Sequence, residues 1–116
     1  MSRSPQDRIR DIREAVAAIK QFEQAGRDNP MVFDAVRMRL LEIGEAASGL
    51  PRHLREFEPA VPWREIIGMR NWMAHRYFDT AHAYIWGTVD NDLAPLLAAL
   101  DRLAARVRSE PSIETE

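Results

Sequence analysis

Arg70, His75 and Tyr77 stand in the pattern Arg-x-x-x-x-His-x-Tyr, inside the stretch Arg70-Asn71-Trp72-Met73-Ala74-His75-Arg76-Tyr77. An arginine fork grips a phosphate through paired N–H donors. Imidazole is the side chain most easily used as acid or base near neutral pH. A tyrosine hydroxyl forms hydrogen bonds and accepts covalent modification. Phosphate grip plus proton carrier is the equipment for cleaving an RNA backbone without a metal. Each residue also has a plainer reading. A histidine in a last turn bonds terminal carbonyls and meets the helix dipole, a helical arginine is solvated, and a tyrosine at a helix end anchors packing.

Spacing bears on how such a site is assembled. On an ideal helix Asn71 and His75 share a face, and Arg70 and Tyr77 nearly eclipse each other. Arg70 and His75 diverge by about 140°, at roughly 100° per residue. Either the long arginine reaches around, or a second copy of the helix completes the site. A twofold homodimer brings two such segments face to face and sets two His75 side chains at one cleft.

Four segments with helical periodicity must position these groups, and none alternates like a strand. The first carries Ile9, Ile12, Val16, Ile19 and Phe22, begins near Pro5 and ends at Gly26 and Asp28-Asn29-Pro30. The second carries Phe33, Val36, Leu40, Ile43, Ala47 and Leu50, and stops at Ser48-Gly49-Leu50-Pro51. A Pro-punctuated connection from Pro51 to Pro62 has room for one helical turn around Leu54 and Phe57. The third helix is expected from Pro62 to about Tyr77, with Trp63, Ile66, Ile67, Met69 and Met73 on its apolar face. The last follows Phe78-Asp79-Thr80, capped by Asp79 or Thr80, with Ile85, Val89, Leu93, Leu96, Leu100, Leu103 and Val107 as its stripe. Pro95 lacks an N–H and should kink or break it near Asn91-Asp92. The expected fold is all-α: an antiparallel bundle of four main helices, residues 6–108, between a flexible N-terminus (1–5) and a flexible acidic tail (109–116).

Composition narrows the function. A chain of 116 residues, 46% apolar and 29% charged, suits one soluble domain. Cysteine is absent, which excludes disulfides and thiolate metal sites. No apolar run approaches the roughly 20 residues needed to cross a bilayer, and no signal-peptide core follows Met1, so a cytoplasmic protein without membrane contact is expected. The net charge of −2 gives no global signature of nucleic-acid binding, and DNA is not an expected partner. Lys20 is the only lysine among sixteen basic residues. Arginine favours bidentate phosphate contacts, although codon bias also enriches it.

The motif has company. Leu41-Glu42-Ile43-Gly44-Glu45-Ala46 precedes Val61-Pro62-Trp63-Arg64-Glu65-Ile66-Ile67-Gly68-Met69-Arg70-Asn71, then His75, Tyr77-Phe78, Trp86 and Asn91-Asp92-Leu93 before Pro95-Leu96. In this order and spacing the chain resembles the HepT family of HEPN-domain toxins, small all-helical proteins paired with a minimal nucleotidyltransferase antitoxin, MntA. The resemblance implies a homodimeric, metal-independent endoribonuclease that needs no cofactor. It assigns catalysis to Arg70 and His75. It makes Tyr77 the acceptor of AMP, which the antitoxin adds from ATP to silence the toxin. Asn71 matches the usual residue after the arginine. Trp72-Met73-Ala74 is bulkier than many members carry before the histidine.

Asn71 and Glu45 are read as supporting residues, and Arg76 and Trp72 as RNA contacts, Trp72 by base stacking. Glu42 and Glu45 are also candidates for buried acids. Trp63 and Trp86 read as core or interface anchors. His53 and His82 lack partners at metal-ligand spacing, so no metal site is expected. A rival of another class is a catalytically idle helical adaptor that binds the nucleotidyltransferase and presents its substrate.

Overall fold

The computed structural model describes residues 3–69 and 78–109. Among them every regular element is a helix: α1 Pro5–Glu23, α2 Pro30–Gly49, α3 Arg52–Arg55, α4 Trp63–Ile67, α5 Phe78–Asn91 and α6 Leu93–Ser109. Local chemistry explains the starts of the two long N-terminal helices. Ser4 Oγ accepts from the Asp7 amide at 3.1 Å while the Asp7 carboxylate accepts from the Ser4 amide at 3.2 Å. These reciprocal bonds satisfy donors that the helix leaves unpaired, and the Ser4 N–H holds the Asp7 carboxyl below its ordinary range. Asn29 caps α2 by accepting from the Met31 amide at 2.9 Å. Pro5 and Pro30 occupy the first turns, where a missing N–H costs nothing. Between the helices Gly26 takes φ +99°, a conformation that favours glycine.

α1 and α2 run antiparallel. The Arg8 guanidinium, near the start of α1, covers Gly49 at the end of α2. α6 packs on α1, where Arg13 pairs with Asp101 at 2.6 Å, and α5 packs on α6. The core is the apolar stripe of each helix brought to one centre. Ile9, Ile12, Val16 and Ile19 meet Phe33, Val36, Leu40, Ile43 and Ala47, with Leu96, Leu100 and Leu103 closing the far side. Each large side chain removed from water contributes about 1.5–3 kcal/mol. Phe22 and Val89 lie at the edge, half-buried.

The expected break near Pro95 falls at Asp92, between α5 and α6. A proline ring at 95 would collide with the Asn91 carbonyl in a continuous helix. Restarting at Leu93 puts Pro95 in a first turn, where no N–H is needed. Three expectations are corrected. The third helix is not continuous from Pro62: α4 ends at Ile67, Gly68 forms a turn, and Met69 is helical again. Glycine holds a helix poorly, and its N–H here bonds back to the Arg64 carbonyl at 2.9 Å. Pro62 stands just before α4 as its cap residue. The last segment does not begin after Phe78-Asp79-Thr80: α5 already includes Phe78, so the expected cap positions Asp79 and Thr80 fall inside the helix. In the connection, α3 buries Leu54, but Phe57 lies outside it and is exposed under the Arg106 guanidinium, 3.6 Å from the ring centroid.

Candidate functional site

Arg70, Asn71, Trp72, His75, Arg76 and Tyr77 lie outside the described residues, but the structure describes how the chain is fastened on either side of them. On the upstream side, a methyl group at Gly44 of α2 would stand 2.9 Å from the Ile66 carbonyl oxygen and 3.5 Å from that of Ile67. Glycine therefore lets the end of α4 rest its backbone on α2. Ile66 and Met69 are fully buried beside it, and Arg70 is the next residue. Trp63 holds the start of α4: its indole N–H is shared between the Arg55 and Glu58 carbonyls at 3.1 and 3.0 Å. Glu58 in turn receives the Arg102 fork at 2.9 and 2.7 Å, which keeps its carboxyl below the ordinary range and ties the connection to α6.

Downstream, α5 is bolted to α2 by aromatic contacts. His82 stacks on Phe33 with centroids 4.4 Å apart and planes 22° apart. Trp86, one turn further on, lies 6.1 Å from Phe33 and donates its indole N–H to His82 Nε2 at 3.4 Å. Because indole is a donor only, Nε2 accepts, and a neutral His82 carries its proton on Nδ1. Arg27, in the α1–α2 turn, lies 4.2 Å over Trp86 and binds both Glu23 at 2.8 Å and Asp90 at 3.1 Å. The Asp90 bond is the main reason that the Arg27 pKa is raised and the Asp90 pKa lowered. The two fastening points, Gly44 and Phe33, are eleven residues apart on α2, roughly 16 Å of helix at 1.5 Å per residue.

Two adjoining grooves follow α2 from the second fastening point. One, of about 400 Å³, is lined by Arg27, Asp28, Pro30, Phe33, Asp34 and His82. The next, of about 280 Å³, is lined by Asp34, Arg37, Met38 and Leu41. Glu45 lies elsewhere. It is exposed, as is Glu42, so neither is a buried acid, and both line a cavity of about 530 Å³ between α1 and α2 with Arg3, Arg8 and Arg39. The reason is rotational: if Gly44 faces α4, its neighbour points about 100° away. A further acidic spot joins α4 to α5, where burial, with Glu65 nearby, raises the Asp92 pKa.

Trp63 and Trp86 are the buried anchors expected of them, and His53 is exposed. Sequence reasoning missed the role of His82. The signal was its i,i+4 relation to Trp86, which puts both on one helix face. Among the described residues, no group of three or more histidines and carboxylates is placed to hold a metal ion. No helix among them is long and apolar enough to cross a membrane.

The family described as Ribonuclease HepT-like matches residues 6–103, a span that includes both fastening points and the motif between them. The chain belongs to the HepT-like ribonuclease family. Membership makes it an endoribonuclease and RNA its substrate. The probable ribonuclease HepT of Thermococcus cleftensis is 33% identical over 89% of this chain and 98% of its own length. A candidate RNase of Caldanaerobacter subterraneus is 39% identical over 65% of this chain and 66% of its own. One from Methanocaldococcus jannaschii is 38% identical over 57% and 61%. No solved structure matches the chain at comparable stringency.

Proposed function

We propose that this ribonuclease is the toxin of a cytoplasmic toxin–antitoxin pair, cleaving RNA without a metal through Arg70 and His75. The observation that carries the reading is the family match across residues 6–103, with Arg-x4-His-x-Tyr intact between two segments fastened to α2. His75 takes the proton of a ribose 2′-hydroxyl, whose oxygen attacks the adjacent phosphorus. The bond to the 5′-oxygen breaks, a 2′,3′-cyclic phosphate forms, and a second protonated imidazole returns a proton to the leaving oxygen. Arg70 neutralises charge growing on the phosphoryl oxygens, the type of contribution that dominates such catalysis. Asn71 orients the imidazole or phosphate, Arg76 and Trp72 hold flanking RNA, and Glu45 has a supporting role on α2.

The second imidazole comes from a second copy of the chain. Supporting a homodimer, the outer face of α2 exposes Met31 at 75% and Met38 at 52%, with Leu41 in line. Opposite charges beside them, Asp34 with Arg37, allow a twofold contact to pair unlike charges. Control is assigned to Tyr77. A nucleotidyltransferase antitoxin transfers AMP from ATP to its hydroxyl and releases pyrophosphate. The added phosphate then competes with the scissile phosphate for Arg70 and Arg76.

The test is the His75→Ala variant beside Arg70→Lys. His75→Ala should abolish cleavage of cellular RNA with helicity and assembly unchanged, and Arg70→Lys should be crippled because ammonium cannot reproduce the guanidinium fork. Cleavage should survive EDTA. A folded His75→Ala protein with full activity refutes the assignment, and an inactive wild-type chain that still binds the nucleotidyltransferase would favour an adaptor. Mass spectrometry after incubation with antitoxin and ATP should find AMP on Tyr77.

A further inference from the structure

The arginines of this chain are not all matched by acids. Along α1 and α2 most are: Arg3 meets Asp11 at 2.7 Å, Arg10 meets Asp7 at 2.9 Å, and Arg39 meets Glu42 at 2.8 Å. Around α3 the balance differs. Among the described residues no carboxylate pairs with Arg52, Arg55 or Arg106. Arg52 is exposed, Arg55 donates its Nε–H to the Leu50 carbonyl at 3.2 Å, and Arg106 lies over the Phe57 ring. Glu58 is already held by the Arg102 fork. Arg52 and Arg55 line an open groove of about 310 Å³ with Glu56, Pro59 and Trp63. Its frame is fixed, because the Trp63 indole N–H is shared between the Arg55 and Glu58 carbonyls. Trp63 itself is buried, so the groove presents no open ring to a base. What it presents is N–H donors.

We infer that this groove binds a backbone phosphate of the RNA strand, outside the cleavage motif and without regard to base. This rests on the reading that RNA is cut at the segment following α4. Arg52 and Arg55 stand three apart in α3, a spacing that brings their side chains together on one face. Like charges so placed destabilise a helix, and a phosphate between them turns that repulsion into attraction. The guanidinium of Arg52 and the terminal N–H groups of Arg55 match phosphate oxygens as forks. Glu56 on the lining is exposed and pairs with neither arginine, so the charge of the groove stays positive. Location argues the same way. Trp63 stands seven residues before Arg70, at most about 25 Å of chain, which a few nucleotides span. Single-strand binders track a backbone with such positive grooves.

Binding is measured with short single-stranded 2′-fluoro oligonucleotides, uncleavable because they lack the attacking hydroxyl, over a range of salt concentrations. Arg52→Glu, at an exposed position with no partner to lose, should weaken binding on the order of tenfold, the worth of charge-assisted hydrogen bonds. The loss should be the same for every base composition. Arg52→Ala/Arg55→Ala should flatten the log–log salt dependence by about 0.7, the release expected for one phosphate of a single strand. Arg55→Ala also removes the bond to Leu50, so Arg52→Glu keeps the test readable if the double variant unfolds. Arg10→Glu makes the same charge change at an ion-paired site on α1 and should alter binding far less. Wild-type affinity in Arg52→Glu overturns the inference, and is the outcome if the groove takes an acidic protein partner instead. An equal loss in Arg10→Glu, or a loss confined to one base, overturns it too. The two readings fail separately. Binding that Arg52→Glu weakens, with no cleavage by the wild type, would refute the proposed catalysis and leave the groove standing. Cleavage by the wild type with binding unchanged in Arg52→Glu would do the reverse.

Discussion

Gly44 and Gly87 each sit inside a long helix, and their surroundings are opposite. Gly44 is buried in α2 with the Ile66 carbonyl where a side chain would go, while a methyl group on Gly87 of α5 meets nothing within 4 Å among the described residues. Both leave the same backbone freedom in the unfolded chain, and both cost helix stability relative to alanine. At Gly44 that cost is offset by a backbone-to-backbone approach that holds α4 immediately before Arg70. At Gly87 no neighbour requires it. The difference teaches where this fold is constrained by the needs of the site: the constraint lies under the entrance to the motif.

Three substitutions sharpen or break the comparison. Gly44→Ala carries the largest expected effect. The obstruction is a carbonyl of packed backbone, so α4 must shift, at a cost of about 1–3 kcal/mol in denaturant unfolding. Because misplacing catalytic groups by about 1 Å costs up to 100-fold, cleavage should fall well beyond the loss of stability. A Gly44→Ala protein of native stability and activity would show that the approach is not binding. Next, Gly87→Ala should stabilise by about 0.5–1 kcal/mol through a less flexible unfolded chain, with activity unchanged. A loss of stability would reveal a neighbour at Gly87 after all. Smallest is Gly49→Ala. Its obstacle is the end of the Arg8 side chain, which can swing away, so unfolding should change by about 0.5 kcal/mol or less. A penalty as large as that at Gly44 would mean that Arg8 is held as firmly as backbone.

Most of the core was readable because helical burial follows a fixed period. Ile9, Ile12, Val16 and Ile19 in α1, and Phe33, Val36, Leu40, Ile43 and Ala47 in α2, occupy the buried positions their spacing predicts. The break before Pro95 was readable for a covalent reason, the missing N–H and the bulk of the ring. Gly68 was harder. A single glycine inside an apolar pattern is tolerated in many helices, and only the folded backbone shows a turn there. The reading of Glu45 as a candidate buried acid, from its place beside Gly44, failed because it is exposed. Sequence adjacency does not report the rotation that turns one residue inward and the next to solvent.

By itself, then, the sequence determined an all-helical fold, its core stripes and its family, and it offered candidate residues whose chemistry suits gripping phosphate and carrying protons. These depend on local periodicity, covalent geometry and side-chain chemistry, each legible in a window of a few residues. Only the tertiary structure decided that Gly44 lies against the Ile66 carbonyl, that Phe33, His82 and Trp86 form one cluster, and that Arg27 is bound by Glu23 and Asp90. Those contacts join residues up to 63 positions apart. Their partners are chosen by how whole helices pack, and no local pattern encodes that choice.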